Sequence, residues 1–224
     1  MIWASVKSAI DHKGFAVVPD CLDDRMLGTL CLTLGDTKHA QRNLLDIPEV
    51  RALAVSEPVK QLAAIILGER CFAVRGMFFN KTPASNWKVV WHQDKTISVR
   101  ERKDVAHFGP WSVKAGVPHV QPPALVMAKM LAIRLHLDES HEGNGPLRVI
   151  PGSHAVGCLS AQEIETWKAR PSFICTVPKG GAILMRPLLV HASSSASKPE
   201  KRRVIHIEFA SEDLPETLEW YSRV

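Results

Sequence analysis

The chain has 224 residues, 46% of them hydrophobic and 23% charged, and a formal net charge of +5. That balance suits one soluble domain, residues 1–224, with a sizeable core, and it excludes a low-complexity or strongly charged disordered chain. No run approaches the roughly 20 apolar residues of a membrane span, and Lys7, Asp11, His12 and Lys13 break up the first segment, so a cytoplasmic protein with no signal peptide and no membrane partner is expected.

In chain order, residues 4–10 predict a short helix ended by Gly14, then a strand at Phe15–Val18 closed by Pro19. Residues 23–34 place Met26, Leu27, Leu30 and Leu34 at helical spacing. Residues 50–55 and 58–67 predict two more helices, with Pro58 suited to a first turn and Gly68 to a stop. After Glu69 the texture turns to β: residues 71–79, 129–138, 147–150, 173–177, 182–185 and 203–209 predict short strands between Gly and Pro clusters. Within 129–138, Met130, Ala132, Arg134, His136 and Asp138 share one face, opposite Leu131, Ile133, Leu135 and Leu137. Such a series points to a mainly β sandwich or jelly roll over residues 70–224, behind a mainly helical portion at 1–69. Residues 106–124 hold Gly109, Pro110, Trp111, Gly116, Pro118, Pro122 and Pro123. That stretch is too long and too punctuated for a simple hairpin and is expected to be a lid loop. The five cysteines (Cys21, Cys31, Cys71, Cys158 and Cys175) are widely spaced with no CxxC. They read as free thiols in a reducing compartment and argue against a Cys-based zinc site.

The chemistry begins at Trp91-His92-Gln93-Asp94, where an imidazole and a carboxylate stand two residues apart. On an extended strand both point to one face and can share a metal ion. His-x-Asp alone is a weak signal. His191, after Pro187-Leu188-Leu189-Val190, is the candidate third ligand. Two His and one carboxylate on one face of an ion form the non-heme ferrous site that activates oxygen. Arg202 lies 11 residues beyond His191, across a Ser/Pro/Lys loop, and a guanidinium can clamp a carboxylate by a fork of two hydrogen bonds. Arg203 faces the other side, with Ile205, Ile207 and Phe209; Arg202 goes with Val204, His206 and Glu208, and the pattern leaves open which face lines the interior. His136 and Asp138 form a competing His-x-Asp. Lys81 and Arg75 suit either an anion contact or a surface charge, and Arg134 is a candidate contact to substrate or co-substrate. His154 reads as a turn brace, whereas His107, His119 and His141 read as solvated loop residues.

Together these residues resemble the phytanoyl-CoA dioxygenase family, which uses ferrous iron and 2-oxoglutarate. The stretch from Asn144-Gly145-Pro146-Leu147 to Pro151-Gly152-Ser153-His154 is similar to a family segment. Lys81-Thr82-Pro83, Asn86-Trp87 and Trp91-His92-Gln93-Asp94 are similar to the approach to its metal strand. Arg134 to Asp138 and Arg202 to His206 fit as well, so the resemblance runs from about Cys71 to the C-terminus. It implies a double-stranded β-helix (a cupin-like jelly roll) with the N-terminal helices packed outside. It assigns Fe(2+) to His92, Asp94 and His191, and leaves the remaining positions to 2-oxoglutarate and O2. It puts the far carboxylate of 2-oxoglutarate at Arg202, with Ser193 as a second contact and Trp111 close to a tryptophan lining the pocket. The implied activity is a dioxygenase that hydroxylates a small molecule and releases succinate and CO2. Related halogenases carry a small residue where this chain has Asp94, so the carboxylate argues for hydroxylation. Two other readings compete. A non-catalytic jelly-roll binding protein is disfavoured by the intact set His92, Asp94, His191 and Arg202. A nucleic-acid oxygenase needs interleaved basic and aromatic residues, and this chain has one Tyr and scattered basic residues, so no specific nucleic-acid partner is expected.

Overall fold

A computed structural model of the protein describes residues 2–35, 40–215 and 217–224. The N-terminal portion holds α1 (Ile2–Lys13), β1 (Phe15–Val18), α2 (Asp24–Leu34), β2 (Ala40–Gln41), α3 (Pro48–Val55) and α4 (Glu57–Leu67). Then come β3 (Phe72–Lys81), β4 (Val89–His92), β5 (Ile97–Ser98), β6 (Trp111–Lys114), β7 (Val117–Val120), α5 (Ala124–Ala128) and β8 (Met130–His136). The chain closes with β9 (Leu147–Val149), α6 (Ala161–Trp167), β10 (Phe173–Cys175), β11 (Ala182–Met185), β12 (His191–Ser193) and β13 (Arg202–Ala210). The helices have local causes. Asp23 caps α2 by accepting the Met26 N–H at 2.7 Å, and Leu27, Leu30 and Leu34 bury one stripe. Pro58 falls in the first turn of α4, and Gly68 ends it.

Three antiparallel sheets form among the described residues. The largest runs β1-β11-β8-β13-β3-β2, a second runs β10-β9-β12-β4, and a small one runs β5-β7-β6. The two larger sheets face each other as a jelly roll. The large sheet is buried on both sides. Its outer face (Phe78, Leu131, Ile133, Leu135, Ile205, Ile207, Phe209) packs under α1 to α4 against Ile10, Leu30, Val50 and Leu62. Each such side chain contributes about 1.5–3 kcal/mol of burial. Its inner face is apolar where Phe15, Ala132, Ile183 and Met185 meet Leu147, Val149 and Cys175 of the second sheet. It is also apolar where Phe72, Val74, Met130 and Ala210 meet Ile97 and Val120 of the small sheet.

The interior that remains is polar. Along β13, alternation turns Glu208, His206 and Arg202 inward, and Ile205, Ile207 and Phe209 join the helix-facing core. That settles the choice between the two arginines. Arg202 lines the interior cavity, whereas Arg203 forks onto Asp138 with bonds of 2.9 and 2.8 Å. Asp138 is thereby spent, and it also accepts the Arg203 backbone N–H at 2.8 Å. The competing His136/Asp138 pair therefore makes no metal set.

Residues 106–124 depart from the expected lid loop. They contain the β6–β7 hairpin, joined by Ala115 and Gly116 with φ of 51° and 78°. Two successive positive φ values make the tight turn whose twist matches paired strands. Its apolar side packs inward with Trp111 and Val120 instead of standing free over a site.

Candidate metal centre

His92 ends β4 and pairs across the sheet with His191, which starts β12. Asp94 lies just past the end of β4, where its N–H donates to Pro187 O at 3.0 Å. The three side chains converge: one ligand atom from each lies within 4.8 Å of the others. His191 Nε2 is 3.6 Å and His92 Nε2 is 3.8 Å from the Asp94 carboxylate, and the two rings are 4.2 Å apart. Each imidazole gives its Nδ1–H to the carbonyl two residues earlier, His92 to Val90 O and His191 to Leu189 O, both at 2.8 Å. That bond fixes the tautomer and turns the Nε2 lone pair toward Asp94, as a metal ligand requires. Burial pushes His191 down to about 4, so its imidazole is neutral at physiological pH. Burial opposes ionisation of Asp94, whereas His191, His206 and His92 in their protonated forms, together with the Arg75 guanidinium, pull its carboxyl below the ordinary range, so Asp94 is ionised.

A second group, Asp94, His206 and Glu208, also brings ligand atoms within 4.8 Å of one another. Its hydrogen bonds disqualify it. Arg134 donates to His206 Nδ1 at 3.0 Å, so the ring proton sits on Nε2 and points at Glu208, 3.2 Å away. Glu208 is further held by Arg75 in a buried ion pair. Burial pushes Glu208 up, yet Arg75 and His206 hold it below the ordinary carboxylate range. No free imidazole lone pair remains there. Glu208 carried no functional signal in the sequence beyond its alternation with Arg202 and His206.

The cavity beside the three ligands has a volume of about 100 Å³. Its walls include Lys81, Arg134, Ser193, Arg202, Met77, Phe79, Trp87 and Leu147. Lys81 and Arg202 are cross-strand neighbours on β3 and β13. Lys81 donates to Ser193 Oγ at 2.8 Å and Ser194 O at 2.6 Å. Ser193 Oγ in turn donates to Gly145 O at 2.9 Å. Burial, with Arg202 and Arg134 nearby, pushes Lys81 down to about 8; burial and Arg134 push Arg202 down to about 10. Arg134 lies 5.3 Å from the Phe79 ring centroid. Among the described residues no carboxylate lies within ion-pair distance of Lys81, Arg134 or Arg202, and Nε of both arginines is buried without a partner. Three uncompensated cations in one pocket are costly unless an anion joins them. A short dicarboxylate meets that demand, and the donors around the His92/Asp94/His191 cluster fit a divalent ion.

The Asn144-Gly145 and Pro151-to-His154 motifs act as braces. In Asn144-Gly145, a Cβ on Gly145 (φ +70°) would stand 2.5 Å from Ser194 O and 3.1 Å from Lys81 Nζ, so only glycine lets this turn close on the lysine. In Pro151-Gly152-Ser153-His154, Ser153 Oγ donates to Ile150 O at 2.7 Å and accepts the Val190 N–H at 2.8 Å, which holds the approach to His191. His154 braces α1 through Asp11 O at 3.3 Å. Gln93 is buried and ties Gly157, Leu188 and Leu159 to the metal strand through three bonds of 2.6 to 2.8 Å. Two expectations are corrected. Trp111 does not line the cavity; its ring packs in the apolar cluster at the small sheet, with Arg102 5.5 Å from its centroid. His119 is not a solvated loop residue; it is buried on β7 with Nδ1 bonded to Val117 O at 3.0 Å.

The fold matches solved structures closely. The chain superposes on AviO1 from Streptomyces viridochromogenes Tue57 with a TM-score of 0.68 at 22% identity, covering 95% of this chain and 96% of that one. It superposes on EctD from S. alaskensis, crystallised with 2-oxoglutarate and 5-hydroxyectoine, with a TM-score of 0.70 at 18% identity, covering 93% and 76%. The epimerase SnoN in complex with Fe3+, alpha ketoglutarate and nogalamycin RO gives a TM-score of 0.70 at 15% identity, covering 96% and 91%. These likenesses establish the cupin-like jelly roll. No curated protein matches the chain by sequence. Residues 31–204 match the family model described as phytanoyl-CoA dioxygenase (PhyH), a span that runs from α2 through every cavity residue named above to the third residue of β13, except His206. The jelly roll, the convergent His92/Asp94/His191 cluster and that match agree: the chain belongs to the phytanoyl-CoA dioxygenase family.

Proposed function

We propose that His92, Asp94 and His191 hold Fe(II), that Lys81, Arg134, Arg202 and Ser193 hold 2-oxoglutarate, and that the protein hydroxylates a small molecule. As a member of its family the protein is an Fe(II)/2-oxoglutarate-dependent oxygenase. The observation that carries the residue assignment is the pairing of a two-His, one-carboxylate cluster with three unpaired buried cations in one cavity. Iron with bound co-substrate supplies the oxidising power for attack on an unactivated C–H bond. The protein's own residues do the rest. The carbonyls of Val90 and Leu189 orient the imidazoles, and Arg75 and His206 keep Glu208 ionised and away from the metal face. Lys81 and Arg202 fix the far carboxylate of the co-substrate, and the Phe79, Trp87 and Leu147 side chains limit water in the cavity. Asp94 fills with a carboxylate the place a halide would need, which favours hydroxylation. A succinate-release screen over a small-molecule library tests the reading, with Asp94→Ala as the blank. Substrate-stimulated succinate from the wild type alone, with a product 16 mass units heavier, is expected for one added oxygen atom. Dehydrogenated, epimerised or ring-closed products would instead identify another reaction of the same centre.

A further inference from the structure

A second set of cations stands near the same centre, outside the cavity that Lys81, Arg134 and Arg202 line. Arg42, just after β2, places Nη1 3.5 Å from Met77 Sδ, and Met77 lines the metal cavity. Lys114, at the end of β6, donates to Thr96 Oγ1 at 3.1 Å. Arg75 donates to the carbonyl of the same Thr96 at 2.9 Å. Thr96 is two residues beyond Asp94, so these side chains gather where the metal strand leaves the centre. The two sets are distinct: Lys81, Arg134 and Arg202 line the cavity, and Arg42, Arg75 and Lys114 do not; Lys114 feels the charges of Arg75 and Arg42 and, in the opposite sense, those of Asp94 and Glu208.

The acids nearby are already engaged. Glu208 is paired with Arg75, and Asp94 faces His92 and His191. Among the described residues, Arg42 and Lys114 have no carboxylate within ion-pair distance. The small sheet reinforces the polarity of this side. Its register puts Ser98, Ser112 and Lys114 on one face with His119, and Ile97, Trp111 and Val120 on the other, against the apolar cluster. Ser98 Oγ and His119 Nε2 are buried on that polar face without a partner. Burial, then Arg75, Lys114 and Arg42, push His119 down to about 4, so the ring is neutral and adds no charge of its own. Lys114 is half-buried, and desolvation raises the reward for giving it a counter-ion.

We propose that the substrate is a small organic anion whose carboxylate, sulfonate or phosphate docks between Arg42 and Lys114, above Met77, with its oxidisable carbon toward the His92/Asp94/His191 cluster. This rests on the oxygenase reading above. The two cations act on specificity: they select the charged substrate and hold it, and they take no part in metal or co-substrate binding.

The test uses the full chain loaded with Mn(II) and saturated with 2-oxoglutarate, which fills the deep cations and prevents turnover. Calorimetric titration then compares phenylacetate and phenyl phosphate with the neutral phenylacetamide. Both anions should bind at least about tenfold more tightly than the amide, and added salt should weaken them. Arg42→Gln and Lys114→Gln should each weaken the anions about five- to tenfold. Neither should alter the affinity for the amide or for 2-oxoglutarate, which shows that the fold and deep site are intact. The inference is overturned if the amide binds as well as the anions, if the anions do not bind, or if neither substitution changes their affinity. Failure of 2-oxoglutarate to bind in the presence of Mn(II) is a separate result, and it would overturn the oxygenase reading together with this one.

Discussion

His92 and His191 are prepared in the same way: each gives Nδ1–H to a carbonyl two residues earlier and turns Nε2 toward Asp94. Replacing His191 or Asp94 by alanine should therefore remove Mn(II) and Fe(II) binding, at least about 100-fold in affinity by calorimetry, without unfolding the jelly roll. Lys81 permits a separate test of the co-substrate end. Its ammonium is pushed down to about 8 by burial and by Arg202 and Arg134. A bound dicarboxylate favours the charged form, so affinity for 2-oxoglutarate is full below about 8 and falls as the pH rises beyond it. Lys81→Met should weaken 2-oxoglutarate by about 10- to 100-fold, remove that alkaline limb and leave metal affinity unchanged. Glu208 and Arg75 show why a residue can be close to a metal site and not belong to it: Glu208 is held in an ion pair and accepts the His206 Nε2–H, while Arg134 occupies His206 Nδ1, so that group offers no imidazole lone pair.

The elements explain how these side chains are held. Gln93, a polar residue between two ligands, is a strut that anchors β4 to the 157–159 turn and to Leu188. Gln93→Leu leaves three backbone groups unsatisfied, and a loss of about 2–4 kcal/mol is expected in urea unfolding, with metal affinity reduced about tenfold. Alternation along residues 129–138 and 202–209 was readable because period two survives in any strand, but it gave no sign of which face was interior: both faces of the large sheet are buried, one by helices and one by the second sheet. The β6–β7 hairpin was missed for a definite reason. Its turn uses Ala115-Gly116, which lacks the Asn-Gly or Asp-Gly signal of such turns. α6 was missed despite a usable cue, since Ser160 and Glu163 form a capping box that bonds at 3.2 and 2.7 Å. Trp111 was misplaced because proximity in a motif says nothing of the side a residue faces; the pairing of Trp111 with Val120 turns it into the apolar cluster.

At the scale of the whole molecule, the jelly roll keeps a charged interior between two apolar ends, and its stability is tied to what fills that interior. The folded His191 is pushed from 6.5 down to about 4, so the unfolded chain takes up its proton first. Its contribution is complete above pH 6.5 and is lost as the pH falls toward about 4, which urea midpoints of the metal-free protein should trace. Mn(II) at 100 times its dissociation constant should raise the stability by about 2.7 kcal/mol, and 2-oxoglutarate at 100 times its own should add about as much again. The central claim is that one cavity joins a His92/Asp94/His191 iron to a 2-oxoglutarate held by those cations. Anaerobic titration of the Fe(II)-loaded protein with 2-oxoglutarate, followed by visible absorption, tests it most directly. A charge-transfer band that saturates at one co-substrate per chain, is lost in Asp94→Ala and needs more co-substrate in Lys81→Met is the predicted result. No band in the wild type, or an unchanged band in Asp94→Ala, would contradict it.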